Sequence, residues 1–243
     1  MYVSGMSTPA IQDALGINNS TVGRILKRRG IAVRPLTETS RRFHVQEDFF
    51  DVIDSERKAY WLGMLAADGS VSGNVVNLSL QCGDVAHVER FRADIGSSHP
   101  IKTNVGQKLL AFRCKHMISA LAEHGIVPRK SWTYSPRLQL IPPHLHRHFW
   151  RGMVDGDGWI TVGKTGQRML GLCGTEMVVS LFKSFMEGQG AVARIWRQPE
   201  SVWCSAVSNR DGFAKISTVL YADCEVFLAR KAARIDALMA EAE

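Results

Sequence analysis

The sequence predicts an α+β protein in which one structural unit occurs twice. Two segments, Trp61–Gly69 (WLGMLAADG) and Trp150–Gly158 (WRGMVDGDG), are variants of one motif placed 89 residues apart. Each has the pattern of an apolar helix rich in small residues that ends in aspartate and glycine. Each also leads into β-type sequence, and the same order of elements follows both. An internal duplication is therefore predicted for most of the chain.

Composition limits the class of protein. The chain has 243 residues, 45% of them hydrophobic, which is enough for a sizeable core and a small appendage. No apolar run approaches the length that spans a bilayer, so we expect no membrane partner. Five scattered cysteines without a CxxC pair indicate reduced thiols. We expect a cytoplasmic protein, from a prokaryotic cell or a phage-infected host.

The N-terminal region is strongly basic. Residues 1–42 carry seven basic and two acidic side chains, and so hold most of the net charge of +7. The pattern predicts two short helices over 7–29, the first capped by Thr8 and the second by Asn19 or Ser20. Val22, Ile25 and Leu26 are expected to face inward. The outward positions of the second helix are basic: Arg24, Lys27 and Arg28.

This helix pair resembles the helix-turn-helix of resolvase-type DNA-binding domains. It departs from that pattern at Gln12, where a small residue is usual, and in lacking a preceding helix. An ordinary amphipathic helical hairpin is the alternative. We predict a DNA-binding module over 1–34, because the positive charge is so concentrated there, and a linker over 35–54.

The first repeat, 55–141, starts with a helix capped by Asp54 or Ser55 and ending near Asp68. Alternation of polar and apolar residues predicts a strand over Asn77–Cys82. The remaining predicted elements are a helix over 84–95, strands over 100–105 and 108–114, and a helix over 115–124.

The second repeat, 142–243, follows the same order. A helix over 143–157 is opened by two prolines. The later predicted elements are strands over 159–163 and 167–173, a helix over 175–187, strands over 191–197 and 201–208, and helices over 210–220 and 223–241.

With both motifs and the matching element order, the chain resembles the LAGLIDADG homing endonuclease family in its single-chain, two-motif form. The resemblance implies two pseudo-symmetric αββαββα units around two central helices. Their two sheets form a β-saddle that lies over the DNA major groove. It also implies a site-specific endonuclease that cuts both strands at a long target site and mobilises an intron or similar genetic element. We expect a monomer bound to double-stranded DNA.

The motif residues suit such chemistry. Small residues let two helix backbones approach closely, and Asp68 and Asp157 then meet at the helix C-termini. Two converging carboxylates repel each other unless a cation lies between them, and hard oxygen ligands select Mg²⁺ or a similar ion such as Mn²⁺. We assign catalysis to Asp68 and Asp157, and metal ligation to these two residues with Ala67 and Gly156.

Other motif positions are expected to be structural. Gly69 and Gly158 can adopt the left-handed conformation that ends a helix. Asp155 of the second motif corresponds to Ala66 in the first, and the resemblance implies a structural role there. A single Asp-Gly pair would favour a simple helix-ending turn, whereas two matched copies favour catalysis.

The resemblance further implies a basic residue near the end of each repeat, beside the scissile phosphate. Lys130 in GIVPRKS and Lys231 in FLARK match these positions, and the adjacent Arg129 and Arg230 could take the role instead. A solvated surface lysine is the alternative for either residue taken alone. Polar strand faces are expected to read base edges in the major groove. The predicted DNA contacts of the first half are Asn77, Ser79, Gln81, Lys102, Asn104 and Arg113. Those of the second half are Thr161, Lys164, Gln167, Arg168, Arg194 and Arg197.

Two other functions are possible on the same scaffold. A non-cleaving transcriptional regulator would bind DNA without cutting it, although the motif acids are retained here. An intron RNA maturase would bind intron RNA and leave DNA uncut.

Overall fold

A computed structural model describes residues 1–33, 43–198 and 202–240 of the chain. The chain divides into two compact units, Met1–His44 and Val45–Glu243. The predicted boundary at residue 34 lies outside the described residues. Within those ranges, no helix is long and apolar enough to cross a bilayer.

The smaller unit contains helices α1 (Thr8–Leu15) and α2 (Asn19–Arg28). Both caps lie one residue earlier than predicted: the Ser7 hydroxyl accepts the Ala10 amide, and the Asn18 side chain accepts the Ser20 amide. The prediction for Ile25 was wrong, because that residue is 43% exposed. The unit has its own small core: Tyr2, Ile11, Val22 and Leu26.

The larger unit contains two copies of one arrangement, as the duplication predicted. The elements of the first copy are α3 (Glu56–Ala67), β1 (Gly69–Ser72), β2 (Val75–Gln81), α4 (Val85–Asp94), β3 (Lys102–Asn104), β4 (Gln107–Arg113) and α5 (Lys115–Glu123). Those of the second copy are α6 (His146–Asp157), β5 (Gly158–Val162), β6 (Arg168–Gly174), α7 (Glu176–Gly188), β7 (Ala193–Arg197), β8 (Trp203–Val207), α8 (Arg210–Tyr221) and α9 (Ala229–Ala240).

The two sheets have the same topology. The first sheet has the strand order β1-β2-β4-β3 and the second has β5-β6-β8-β7, with all neighbours antiparallel. This confirms the predicted α+β class with paired αββαββ units. The predicted helix over 223–241 starts later, at Ala229, because side chains from elsewhere bind the backbone before it.

The motif helices α3 and α6 pack with their backbones in contact. A Cβ atom added to Gly63 would overlap the Phe149 carbonyl oxygen, and one added to Gly152 would overlap the Tyr60 carbonyl oxygen. Each glycine therefore lies against the backbone of the other helix. This close approach brings the two helix C-termini together.

The glycines that follow the acids serve a different purpose from the one predicted. Gly158 is extended, with φ −90° and ψ 169°, and neither it nor Gly69 has a positive φ. A Cβ atom on Gly69 would lie 2.6 Å from the Leu65 carbonyl oxygen, and one on Gly158 would lie 2.5 Å from that of Val154. Glycine is needed because the chain turns tightly against the last helical turn.

Residues 45–54, which fall in the predicted linker, are part of the larger unit. Phe49, Phe50 and Ile53 are buried in its core. Ser55 then caps α3 by accepting the Lys58 amide, in agreement with the prediction.

Candidate active site and nucleic-acid interface

Asp68 and Asp157 lie together at the ends of the motif helices. Asp68 is the C-cap residue of α3, and Asp157 is the last residue of α6. A Cβ atom added to Gly156 would lie 3.3 Å from Asp68 Oδ2, so the Asp68 carboxylate lies against the backbone beside Asp157. Both aspartates retain exposed surface. We call these two residues the acid pair.

The surroundings favour the protonated forms of both acids. Desolvation by the neighbouring protein raises the pKa of Asp157 to about 6, and the charge of Asp68 acts in the same direction. Desolvation also raises the pKa of Asp68, while Lys231 and Lys130 oppose the shift. A cation between the two carboxylates would offset their desolvation and their mutual repulsion, and would so stabilise the ionised forms.

Lys130 and Lys231 each reach the end of one motif helix. Lys130 lies in a 3₁₀ turn, Lys130–Trp132, and donates to the Ala67 carbonyl at 3.1 Å. Lys231 lies in α9 and donates to the carbonyls of Val154 (2.5 Å) and Gly158 (2.7 Å).

Both ammonium groups stand where helix dipoles are negative and near the acid pair. Each lysine is only 6% exposed. Desolvation lowers the pKa of Lys231 to about 8 and also lowers that of Lys130, although the charges of the acid pair act in the other direction. The two lysines therefore influence the site by their charge, while their N–H groups bind helix-end carbonyls.

The residues fit a divalent cation that takes few protein ligands. Within 1–33, 43–198 and 202–240, no cluster of three or more His, Cys, Asp or Glu side chains could hold a metal ion. The acid pair offers two hard carboxylates whose mutual repulsion a cation would offset. Mg²⁺ commonly binds through one or two carboxylates and completes its shell with water and phosphate oxygens.

Asp155 is a buried structural residue. It is 1% exposed and accepts hydrogen bonds from the hydroxyls of Tyr60 (2.7 Å) and Tyr221 (2.6 Å) and from the Leu228 amide (2.7 Å). Burial raises its pKa, while these hydrogen bonds lower it. The contacts join α3, α6 and the segment that leads to Lys231.

Sequence reasoning missed a second buried network, around Arg151. This fully buried guanidinium donates to Glu56 Oε1 (2.6 Å) and to the carbonyls of Val226 and Leu220 (both 2.8 Å). Glu56 also accepts the Glu225 amide at 2.6 Å. An arginine inside the otherwise apolar segment 149–154 was the available signal, because a buried charge requires partners.

The first sheet places all six predicted DNA contacts on one face. Its inner face carries buried residues such as Leu78 and Leu110. Cross-strand partners share a face, and the register pairs Asn77 with Ala111, Ser79 with Leu109, and Gln81 with Gln107. Lys102, Asn104 and Arg113 pair with Leu109, Gln107 and Val75 respectively. We call the face that bears Asn77 the outer face of the first sheet.

The second sheet separates its predicted contacts. Arg194 pairs with Ala206, which pairs with Gly171, and Thr161 pairs with Met169; these residues form its outer face. Gln167 alternates onto the same side, and Lys164 lies in the exposed turn before it. Arg168 and Arg197 do not share this face, because they alternate with Met169 and Trp196 and so lie at the rim on the core side. The Arg197 guanidinium lies 5.8 Å from the Trp203 ring centroid.

Both sheets are electrostatically suited to a polyanion. Across the strands of both sheets and the hairpins β1–β2, β3–β4 and β5–β6, in the described stretches 69–81, 102–113, 158–174, 193–197 and 203–207, there is no acidic side chain. Glu200, in the β7–β8 connection, lies outside the described residues. Lysines and arginines lie at the edges and turns of the same stretches. Phosphate groups that contact these described stretches would therefore meet positive or neutral side chains.

Solved structures share this fold. The LAGLIDADG meganuclease I-AabMI bound to uncleaved DNA is 14% identical, with a TM-score of 0.56 over 75% of this chain and 88% of that one. The LAGLIDADG homing endonuclease I-LtrWI bound to target DNA is 10% identical, with a TM-score of 0.55 over 80% and 89% of the two chains.

A third similar structure is a variant of I-DmoI in complex with its nicked target DNA in the presence of manganese. It is 16% identical, with a TM-score of 0.53, and the match covers 70% of this chain and 98% of that one. No protein-family model matches the sequence, and no curated protein matches it significantly. The chain therefore has the fold of the LAGLIDADG homing endonucleases.

Proposed function

We propose that this protein is a site-specific double-strand DNA endonuclease that uses a divalent cation held by Asp68 and Asp157. The observation that carries the proposal is the acid pair, placed where the two motif helices end and the acid-free sheets begin. Solved structures of this fold are bound to DNA, and one was determined with manganese present.

The roles of the residues follow from their positions. A bound Mg²⁺ or Mn²⁺ would supply Lewis-acid stabilisation of the phosphate and activate water for attack. Asp68 and Asp157 would hold it. The carbonyl oxygens of Ala67 and Gly156, which accept hydrogen bonds from Lys130 (3.1 Å) and Lys231 (3.5 Å), are further candidate ligands through their second lone pairs. Lys130 and Lys231 would offset the charge that the phosphate adds beside two carboxylates.

The outer faces would supply recognition. The polar outer face of the first sheet has the donors and acceptors that read base edges in a major groove. We assign an auxiliary role to the N-terminal unit, whose exposed Arg24, Lys27 and Arg28 would bind DNA flanking the cleavage site and raise affinity.

The test starts with a cleavage selection on randomised duplex DNA in Mg²⁺, which identifies the target and the cut positions. Asp68→Asn and Asp157→Asn are then assayed on that target for cutting and, in EDTA, for binding. Both variants are expected to bind within a few-fold of the wild type and to lose cleavage. Asp236→Asn, an exposed acid on α9, is the matched control and should cut normally.

Three outcomes contradict the proposal. Cleavage at the wild-type rate by both acid-pair variants would contradict a mechanism that depends on a cation held by these carboxylates. Tight, specific duplex binding by a wild-type protein that never cuts would indicate a regulator. Binding to structured intron RNA, with DNA left uncut, would indicate a maturase.

A further inference from the structure

The outer faces of the two sheets differ in chemistry. The first carries mostly hydroxyl and amide groups, as in Ser70, Asn77 and Gln81, all placed on one face by the register. At the matching register positions, the second sheet has Trp159 where the first has Ser70, Trp196 where it has Lys102, and Met169 where it has Val75. These three side chains are only partly buried, so the second outer face is apolar at the positions of Trp159 and Trp196, where the first face is polar.

The apolar surface is built into the sheet. The Trp159 ring lies over Gly171, where an added Cβ atom would clash with it and would approach the Ala206 Cβ at 2.7 Å. The rings of Trp159 and Trp196 meet edge to face, with centroids 5.9 Å apart and an interplanar angle of 76°. A shallow depression of about 250 Å³ beside them is lined by Gln167, Met169, Arg194, Trp196, Ala206 and Ser208.

The position and charge of this surface favour DNA as its occupant. Trp159 is two residues after Asp157, so DNA held at the acid pair would lie along it. Arg194 stands on the same face and Lys164 at its edge, and the described part of the second sheet has no acidic side chain. A duplex satisfies the basic groups with phosphates, and its major groove offers one apolar feature, the C5-methyl group of thymine.

We propose that the second sheet recognises its half of the target by contact with thymine methyl groups. The first sheet recognises the other half through hydrogen bonds. This inference rests on the proposed function, and it assigns the two half-sites different base preferences: thymine-rich under Trp159, Met169 and Trp196, and hydrogen-bond-specified under Asn77, Ser79 and Gln81.

Deoxyuridine provides a test, because it keeps every hydrogen-bonding group of thymidine and lacks only the methyl group. Thymines in the selected target are replaced by deoxyuridine in one half at a time, and binding is measured in EDTA. Affinity should fall about fourfold for each methyl group that the protein touches, the change expected when one buried CH₂-sized group is removed. The effect should be confined to one half of the site.

Protein variants identify the half concerned. Trp196→Ala should reduce the thymine-to-uracil affinity ratio in the sensitive half towards one. Leu109→Ala, which removes an apolar side chain from the outer face of the first sheet, is the matched control and should leave that ratio unchanged. Folding of the two variants is monitored by their binding to the half of the target that is not sensitive to deoxyuridine, left with its thymines. This binding should persist in both variants.

The opposing results are distinct. Equal sensitivity to deoxyuridine in both halves, or in neither, would overturn this inference and leave the endonuclease proposal standing. Self-association through this face that Trp196→Ala abolishes would also overturn it. Failure of the wild type to bind any duplex would defeat the proposed function and this inference together.

Discussion

The Leu228 amide donates a 2.7 Å hydrogen bond to Asp155, a carboxylate buried in the second motif helix. The Lys231 amide in turn donates to the Leu228 carbonyl at 2.9 Å. Asp155 therefore fixes the start of the helix that carries Lys231 to the end of the motif helix. The first repeat has Ala66 at the corresponding position, so its Lys130 is positioned without such an anchor.

Replacing Asp155 with alanine should strongly destabilise the fold. The change would leave the Tyr60 and Tyr221 hydroxyls and the Leu228 amide without their acceptor in a buried setting, at a cost of about 3 kcal/mol or more in the free energy of unfolding. Chemical denaturation monitored by tryptophan fluorescence measures it. With Asp236→Asn as the surface control, a decrease below about 1 kcal/mol would show that these hydrogen bonds do not hold the repeat together.

Replacing Asp157 with asparagine should stabilise the metal-free protein near neutral pH. The pKa of Asp157 in the folded state is raised to about 6 from an ordinary 3.8, by desolvation and by Asp68. The folded state thus binds this proton more tightly than the unfolded state, and stability is lost as pH rises through that window. In EDTA, the melting temperature of the variant should be higher than that of the wild type at pH 7.5 and equal to it near pH 4.

Mg²⁺ provides the complementary measurement. It should raise the melting temperature of the wild type at pH 7.5 and do so much less for Asp157→Asn, because the variant lacks one carboxylate ligand. If Asp157→Asn melts above the wild type by the same number of degrees at pH 7.5 and at pH 4 in EDTA, the raised pKa of Asp157 is contradicted.

Lys231→Met should slow cleavage by roughly a hundredfold with little change in duplex affinity, as expected when a positive charge beside the reacting phosphate is removed. The pKa of Lys231 is lowered to about 8 by desolvation and by Arg230, against the charges of Asp155, Asp68 and Asp157. The wild-type rate should therefore decline above about pH 8, and the variant should lack this decline.

The matched control for that variant is Lys215→Met. Lys215 also donates to a backbone carbonyl, that of Gly190 at 3.1 Å, but it lies on α8 and its hydrogen bond is exposed. The control should cut at the wild-type rate. Equal decreases in the two variants would mean that the effect of Lys231 is structural.

Gly152→Ala should prevent close packing of the motif helices, since the new Cβ atom would overlap the Tyr60 carbonyl oxygen. We expect a decrease of several kcal/mol in the free energy of unfolding, or failure to fold, because two backbones must separate. Gly188→Ala is the control: this glycine is the last residue of α7 and has open space around it, so alanine there should change the free energy of unfolding by less than about 0.5 kcal/mol. Circular dichroism melts distinguish the two.

Simultaneous replacement of Arg24, Lys27 and Arg28 by alanine should weaken duplex binding and reduce its dependence on salt concentration. Each basic side chain that no longer neutralises a phosphate lowers the slope of log affinity against log salt by about one. Cleavage at saturating protein should persist, because the acid pair is untouched. An unchanged salt slope would exclude these residues from the interface.

Periodicity and motif spacing were sufficient to predict both repeats and the order of helices and strands along each of them. The central packing of the motif helices, which brings Asp68 to Asp157, was implied by the family resemblance. Errors arose where distant side chains decide local structure. The pattern predicted a helix from residue 223, but α9 starts at Ala229. The backbone amides before it donate instead to Glu56 and Asp155, which lie far away in sequence.

Local rules also mislead at Gly158 and Arg168. Gly158 predicted a left-handed turn. The structure instead needs glycine there because a Cβ atom would clash with the Val154 carbonyl oxygen. Arg168 looked like an outer-face residue, and only the strand register shows that it lies on the same side as the buried Leu170.

Each motif aspartate is followed directly by the glycine that starts an edge strand, β1 or β5. The side chains that face outward from that strand are thus at a covalently fixed offset from the acid pair. On the proposed function, exchanging exposed outer-face residues would change which bases are preferred without moving the carboxylates, because the opposite face of each strand carries the large core side chains such as Leu78 and Leu170. If the protein cuts DNA as proposed, its choice of target and its cutting position would for that reason be separable design problems.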